Sequence, residues 1–206
     1  MKIALFGGTG RVGKTFLEQA LNEGHTVRML VRDPSKIESI NNHAEMIKGN
    51  AREIESIERT VSGCDAVVSC LGTDGDDTLT VAVPLIVRAM RNAGMNRVIT
   101  IGTAGILQAR SNPLVYRFES NESKRTLTRA ANEHLNAYLT LKESNLEWTI
   151  ICPTYLPDGE ITKTFRFEED YLPEDGKQIS AEDTGYFTYQ VLIENSFIRK
   201  RVGLAY

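Results

Sequence analysis

The sequence predicts an α/β fold in which a single domain, residues 1–206, is built on a doubly wound parallel sheet. Short apolar runs alternate along most of the chain with segments whose apolar residues recur at helical spacing. Such alternation is typical of βαβ crossovers, which join parallel strands within one sheet. We therefore expect the strand order 3-2-1-4-5-6, with ligands bound at the carboxyl ends of the strands.

The first βαβ unit begins with a strand from Ile3 to Phe6 and continues into a helix from Arg11 to Asn22. The strand is an unbroken apolar run, as expected of a parallel strand that is buried on both faces. The helix carries its apolar residues on one face, and these are Val12, Phe16, Leu17, Ala20 and Leu21.

A glycine-rich turn joins these two elements, with Gly7, Gly10 and Gly13 in the spacing G-x-x-G-x-x-G and Gly8 as an additional glycine. We expect Gly7 to make the tight turn, Gly10 to let the backbone approach a phosphate, and Gly13 to let the helix pack on the strand. Free N–H groups and the helix dipole make such a turn an anion site, and its usual occupant is a dinucleotide pyrophosphate. The alternative is a glycine-rich turn without a ligand.

The second strand, Thr26 to Val31, ends at basic residues that bear on the choice of cofactor. Enzymes that use NAD tend to place an acid about 20 residues after the glycines, where it holds the ribose 2′-hydroxyl. Here Arg32 stands at the strand end and Lys36 one turn later, and cations suit a 2′-phosphate. The sequence therefore predicts an NAD(P)-binding Rossmann fold and favours NADP(H) over NAD(H), with Asp33 serving an NAD ribose as the alternative.

The remaining elements continue the alternation and then change character. We expect strands at 45–49, 66–71, 97–102 and 147–152, and helices at 53–60, 80–92 and 121–144. Pro84 marks either the first turn or a kink of its helix. After these elements we expect an exposed strand at 161–168, a helix at 181–194 and a last strand at 197–204.

Composition and charge argue against several classes of partner. The net charge of −3 disfavours a nucleic-acid-binding surface, and no apolar run approaches the length of a membrane span. The first strand starts at the N-terminus, so we expect no signal peptide. The three cysteines show no metal spacing, and the acidic loop around Asp74, Asp76 and Asp77 is more typical of a solvated turn than of a metal site. We expect a cytoplasmic, metal-free protein that acts on a small molecule, either as a monomer or as a weak homo-oligomer.

Six segments together carry a family resemblance. They are GGTGRVG at 7–13, VRDPSK at 31–36, GCDAVVSCLGT at 63–73, RVITIGTAGI at 97–106, EHLNAYLTLKESNLEWTIICPTYL at 133–156 and ISAEDTGYF at 179–187. With them the chain resembles the atypical short-chain dehydrogenase/reductase superfamily. It is most similar to the NmrA-like, NAD(P)H-binding branch, and within that branch to the biliverdin-IXβ reductases, also called flavin reductases.

The resemblance implies a set of cofactor contacts. Residues that match the phosphate loop are Gly7, Thr9, Gly10, Arg11 and Val12. Arg32 and Lys36 match the contacts to the 2′-phosphate. Gly49, Asn50 and Ala51 stand where relatives have Gly-Asp, beside the adenine, and Asn50 still offers an acceptor. The segment that runs beneath the nicotinamide ribose is matched by Leu71, Gly72 and Thr73.

The resemblance also implies an acceptor site. Thr103 stands where the reductases have a serine near the nicotinamide, and its hydroxyl would orient the carboxamide or the substrate. His134 aligns with a histidine of the long helix, although a single helix histidine is more often a packing residue. Tyr155 follows the turn that closes the site. These three residues are the candidate catalytic residues.

One motif of the superfamily is absent. Typical members carry Tyr-x-x-x-Lys, in which the lysine lowers the tyrosine pKa for proton transfer, whereas here Tyr116 is followed at that spacing by Ser120. This absence favours acceptors that need a hydride but little acid assistance, such as flavins, quinones or tetrapyrroles. It also allows a second function, that of an NmrA-like sensor that binds a dinucleotide without turnover.

Overall fold

The computed structural model describes residues 1–35, 44–123 and 127–206, and within them the chain forms one eight-stranded sheet with five α-helices. The strands are β1 Lys2–Phe6, β2 Thr26–Val31, β3 Ala44–Lys48, β4 Ala66–Ser69, β5 Arg97–Ile101, β6 Glu147–Pro153, β7 Arg166–Glu169 and β8 Lys200–Ala205. The helices are α1 Arg11–Asn22, α2 Ile54–Val61, α3 Thr78–Asn92, α4 Arg129–Glu143 and α5 Ala181–Ile193.

The order of strands across the sheet is β3-β2-β1-β4-β5-β6-β8-β7. The first six strands are parallel and follow the expected order 3-2-1-4-5-6, so the doubly wound α/β fold is confirmed. β8 then adds in parallel to β6, and the short strand β7 pairs with β8 in antiparallel orientation at the edge.

Two apolar layers hold the helices on opposite faces of the sheet. On one face, α1 and α5 pack over alternate residues of the strands, among them Ile3, Leu5, Ile99 and Val202. On the other face lie α2, α3 and α4, which pack over Ala4, Phe6, Val67, Val98 and Ile150. Residues Ile3 to Phe6 of β1 alternate between the two layers, which explains why this strand reads as an unbroken apolar run.

Helices α1 and α5 approach each other closely at Gly185. A Cβ atom at this position would lie 2.7 Å from both the Val12 carbonyl oxygen and the Thr15 Cβ atom. A larger residue would therefore push α5 away from the first turns of α1.

The predicted helix at 121–144 is shorter than expected, because α4 begins only at Arg129. Ser120 and Glu122 are held in a loop instead. The Glu122 carboxylate accepts hydrogen bonds from the Ser111 N–H and hydroxyl, and the Glu122 N–H donates to the Ser120 hydroxyl. Local side-chain bonds of this kind compete with helix formation.

The expected strand at 161–168 is confined to Arg166–Glu169, because the residues before it serve the buried carboxylate of Asp183. That carboxylate accepts hydrogen bonds from the Thr162 N–H and hydroxyl and from the Lys163 N–H, at 2.6–2.9 Å. Lys163 has a φ of +58°, which a regular strand does not allow.

The boundaries of two further elements differ from those predicted. The last strand begins at Lys200 rather than at 197, because Phe197 and Arg199 both have a φ of +57°. Helix α3 begins at Thr78, so Pro84 lies inside the helix and not in its first turn.

Candidate functional site

The glycine-rich turn lies where the order of the strands in the sheet reverses, between β1 and β4. β1 pairs with β2 on one side and with β4 on the other, so the turn after Phe6 emerges between the ends of those two strands. Because β1 and β4 are consecutive in space but not in sequence, their helices lie on opposite faces and a crevice opens between them.

Two glycines of this turn are required by close backbone contacts. Gly7 has a φ of +75°, and a Cβ atom there would lie 2.5 Å from the Cys70 carbonyl oxygen. A Cβ atom at Gly13 would lie 2.2 Å from the Gly7 carbonyl oxygen. Any residue other than glycine at either position would therefore displace the turn from the start of the helix.

Gly10 differs from these two because an added Cβ atom would make one tight contact rather than a clash. A Cβ atom at Gly10 would meet only the Gly7 carbonyl oxygen, at 3.3 Å, and its φ of −79° suits any residue. Gly10 is the N-cap of α1, which has no side-chain cap and no acid in its first turn within the described structure. The first N–H groups of α1 thus remain available to an anion.

A groove of about 360 Å³ extends from this turn across the ends of β2, β3 and β4. Of the predicted cofactor contacts, it brings together Gly7, Thr9, Gly10, Arg32, Asn50, Ala51, Leu71 and Gly72. The size, the exposure of Gly10 and the mixture of glycine backbone, apolar and basic residues fit the adenosine and pyrophosphate of a dinucleotide.

The other predicted contacts lie beside this groove. Val12 is buried in the first turn of α1, where its backbone can face an anion but its side chain packs in the core. The Arg11 guanidinium turns toward the C-terminal half of the chain and donates to Asp158 at 2.9 Å. Thr73 accepts from Arg129 at 3.5 Å, so its hydroxyl is bound to α4.

The end of β2 presents Arg32 to the groove, with four-fifths of its side chain exposed. Asp33, the alternative contact for an NAD ribose, accepts hydrogen bonds from the Ser35 N–H and hydroxyl at 3.1 and 2.7 Å. Lys36 lies outside the described residues. Asn50 uses its carbonyl oxygen to accept the Arg52 N–H at 3.1 Å, which leaves its amide N–H groups for other partners.

The acidic loop after β4 lines this groove and pairs there with arginines, which the sequence did not indicate. Arg52 forms ion pairs with Asp76 and Asp77, and its hydrogen bond to Asp77 raises the arginine pKa above its ordinary value. Asp74 lies 3.6 Å from Arg32. The acids of this loop therefore face two arginines across the groove rather than solvent alone, and only tertiary structure could reveal that pairing.

A second groove, of about 410 Å³, lies at the ends of the next two strands of the sheet, β5 and β6. Its lining includes Ala104, Gly105, Tyr155 and Lys177. Two-thirds of Tyr155 is exposed, so an aromatic surface faces this groove. The position follows the rule that ligands of a doubly wound sheet bind beyond the carboxyl ends of its strands.

The structure does not bring all three candidate catalytic residues into this groove. Tyr155 lines it, whereas Thr103 is buried just before it and caps the short 3-10 helix Ala104–Ile106 by accepting the Gly105 N–H at 3.4 Å. His134 lies half-buried in α4 and contributes to neither groove.

Tyr116 lies among aromatic and cationic neighbours. Its ring is 6.3 Å from the rings of Phe118 and Tyr138, and the Arg201 guanidinium lies 5.7 Å from its centroid. Burial raises the pKa of the Tyr116 hydroxyl above its ordinary value despite the nearby arginine. This is the opposite of the shift that a catalytic tyrosine acid needs.

Comparison with known proteins decides the family. A family described as NAD(P)H-binding matches residues 7–195 of the sequence. The chain belongs to this NAD(P)H-binding family. Its cofactor class is therefore that of the nicotinamide dinucleotides, in agreement with the crevice at the glycine-rich turn.

Solved structures of similar fold span the whole chain. A protein from Burkholderia pseudomallei, provisionally described as exported, is 28% identical, with a TM-score of 0.86 and complete coverage of both chains. A Streptococcus pneumoniae protein, provisionally described as an NADH-flavin reductase, is 22% identical with a TM-score of 0.85, covering 100% of this chain and 99% of its own. The anaerobilin reductase ChuY of Escherichia coli O157:H7 is 20% identical with a TM-score of 0.80, covering 100% and 97%.

The described residues hold neither a cluster of metal ligands nor a membrane-spanning helix. They contain no group of three His, Cys, Asp or Glu residues that could hold a metal ion. Among the same residues, no helix has both the length and the apolar character needed to cross a membrane.

Proposed function

We propose that this protein is an NADPH-dependent reductase that transfers a hydride to a small conjugated acceptor such as a flavin, a quinone or a tetrapyrrole. The observation that carries the proposal is the pair of grooves at the carboxyl ends of adjacent strands. The first has the glycine turn and fits the adenosine and pyrophosphate, and the second, beside β5 and β6, offers an open space walled by Tyr155.

The preference for NADPH is supported by the end of β2. Arg32 faces the first groove, where a guanidinium matches the geometry and charge of a 2′-phosphate. Asp33, which would favour NADH, is instead engaged with Ser35.

The chemistry requires little from the side chains. A dinucleotide held at the glycine-rich turn and Arg32 would supply the hydride, and water would supply the proton that completes the reduction, so the protein's task is to align the two rings. The raised pKa of Tyr116 and the missing lysine at the position of Ser120 agree with a reaction that uses no tyrosine acid. Names of structural neighbours, an NADH-flavin reductase and an anaerobilin reductase, point to acceptors of the same kind.

The deciding experiment is NADPH oxidation against a panel of flavins, quinones and biliverdins, with Gly10→Val as the matched inactive control. Turnover with at least one acceptor, faster with NADPH than with NADH, is expected. Tight binding of NADPH by calorimetry without turnover on any acceptor would contradict the reductase and favour the dinucleotide sensor. A sensor should then bind oxidised and reduced cofactor with clearly different affinities.

A further inference from the structure

An acid stands beside the arginine that is proposed to hold the 2′-phosphate. The Asp74 Oδ2 atom lies 3.6 Å from the Arg32 Nη2 atom, and both residues line the first groove. Arg32 follows β2 and Asp74 lies beyond β4, and these two strands flank β1 in the sheet. The pair therefore reaches over the end of β1, across the path of a bound adenosine.

The loop that carries Asp74 is held by contacts that do not involve Arg32. Arg52 pairs with the following acids, Asp76 and Asp77. From the start of α4, the Arg129 guanidinium donates to the Asp76 carbonyl oxygen at 2.7 Å and to the Thr73 hydroxyl at 3.5 Å. Because these anchors lie on both sides of Asp74, its backbone stays beside the groove when Arg32 turns toward a phosphate.

We propose that Asp74 is a specificity-determining residue that limits the preference of this protein for NADPH over NADH. The proposal rests on the proposed placement of the 2′-phosphate at Arg32. The Asp74 carboxylate competes with that phosphate for the guanidinium and also repels it, since both groups are anionic at neutral pH. A 2′-hydroxyl is neutral, so NADH meets no such opposition.

The magnitude follows from the exposure of the two side chains, which is 79% for Arg32 and 54% for Asp74. Solvent and salt weaken charge interactions at such exposed sites. For a phosphate dianion and a carboxylate that share one guanidinium, the expected penalty on NADPH affinity is about three- to tenfold. The ion pair itself adds little to folding stability.

The test is Asp74→Asn, measured by calorimetric titration with NADPH and with NADH at low and high ionic strength. Asn retains the shape of the side chain and tolerates the φ of +49° found at this position, so the fold is preserved. The matched control is Glu45→Gln, which removes the same charge from ion pairs with Arg28 and Lys2, away from the first groove.

We expect Asp74→Asn to tighten NADPH binding about three- to tenfold at low salt, with a smaller gain at high salt, and to change NADH affinity less than about twofold. Glu45→Gln should leave both affinities as they are. Equal changes for both cofactors, no change for NADPH, or an equal gain in Glu45→Gln would each overturn the proposal.

Arg32→Ala, titrated alongside, tests the placement of the 2′-phosphate separately from the role of Asp74. If it weakens NADPH selectively while Asp74→Asn has no effect, the phosphate lies at Arg32 and only the role of Asp74 fails. If it does not discriminate between the cofactors, both assignments fail. Reductase activity is not used in this test, so a protein without turnover would still confirm the role of Asp74.

Discussion

Gly10→Val gives the sharpest test of the cofactor site, because the structure separates the effect on the fold from the effect on the ligand. The new Cβ atom would meet only the Gly7 carbonyl oxygen at 3.3 Å, and the extended backbone at Gly10, with a φ of −79° and a ψ of 167°, suits a β-branched residue. We therefore expect a modest stability loss of about 1 kcal/mol, since the Gly7 carbonyl must shift slightly and valine is a poorer N-cap residue than glycine.

The effect on the cofactor should be far larger. The valine methyl groups would occupy the space over the first turn of α1, where the pyrophosphate would accept hydrogen bonds from backbone N–H groups. Loss of two hydrogen bonds to a charged group costs about 3–6 kcal/mol, which corresponds to roughly 10²- to 10⁴-fold weaker binding of NADPH and NADH alike.

Calorimetric titration with both cofactors measures this loss, and thermal unfolding measures the stability. Gly13→Val serves as the contrasting variant, since a Cβ atom there would lie 2.2 Å from the Gly7 carbonyl oxygen and should lower the melting temperature. A folded Gly10→Val protein with normal affinity for either cofactor would show that the phosphates bind elsewhere.

Three further predictions concern selectivity, catalysis and stability. Arg32→Ala should weaken NADPH binding by about 1.5–3 kcal/mol, toward the lower value because the side chain is exposed, and leave NADH unchanged; a titration showing equal losses would refute this. Thr103→Val should lower turnover moderately with little change in cofactor affinity. Tyr116→Phe should have almost no effect, and the rate should vary little across neutral pH, because burial raises the pKa of Tyr116 and keeps its hydroxyl protonated. A thousandfold loss of turnover in Tyr116→Phe would show that the tyrosine acts as an acid after all. Asp183→Ala should destabilise the protein by about 1.5–3 kcal/mol in urea unfolding, because it removes four hydrogen bonds that a buried carboxylate accepts from Thr162, Lys163 and Tyr206; an unchanged midpoint would show that these bonds contribute nothing.

The sequence predicted those parts of the fold that depend on local patterns. The glycine turn, α1 with its observed bounds and β2 with its observed bounds all follow from apolar spacing and glycine chemistry. The start of α4 and the short strand β7 were predicted wrongly, because long-range bonds decide them. Glu122 is bound to the loop at Ser111, and the segment before β7 is bound to Asp183 in α5.

The same distinction applies to the candidate site. Arg32 could be found because it ends a recognisable strand, and the structure places it in the first groove. The partnership of Asp74 with Arg32, and of Arg52 with the neighbouring acids, joins loops that are far apart in sequence. No local pattern encodes such pairs, since they depend on the strand order of the finished sheet.

The close packing at Gly185 helps to fix the amino end of α1, where the cofactor is proposed to bind. Helix α1 packs against the glycine-rich turn through Gly7 and Gly13, and against α5 through Gly185, which lies close to Val12 and Thr15. Its amino end is thereby pre-organised, so a pyrophosphate bound there would meet donors already aligned and would incur little ordering entropy. The loops around the second groove lie outside this rigid unit, so their sequences can change to suit other ligands while the glycine-rich turn keeps its geometry.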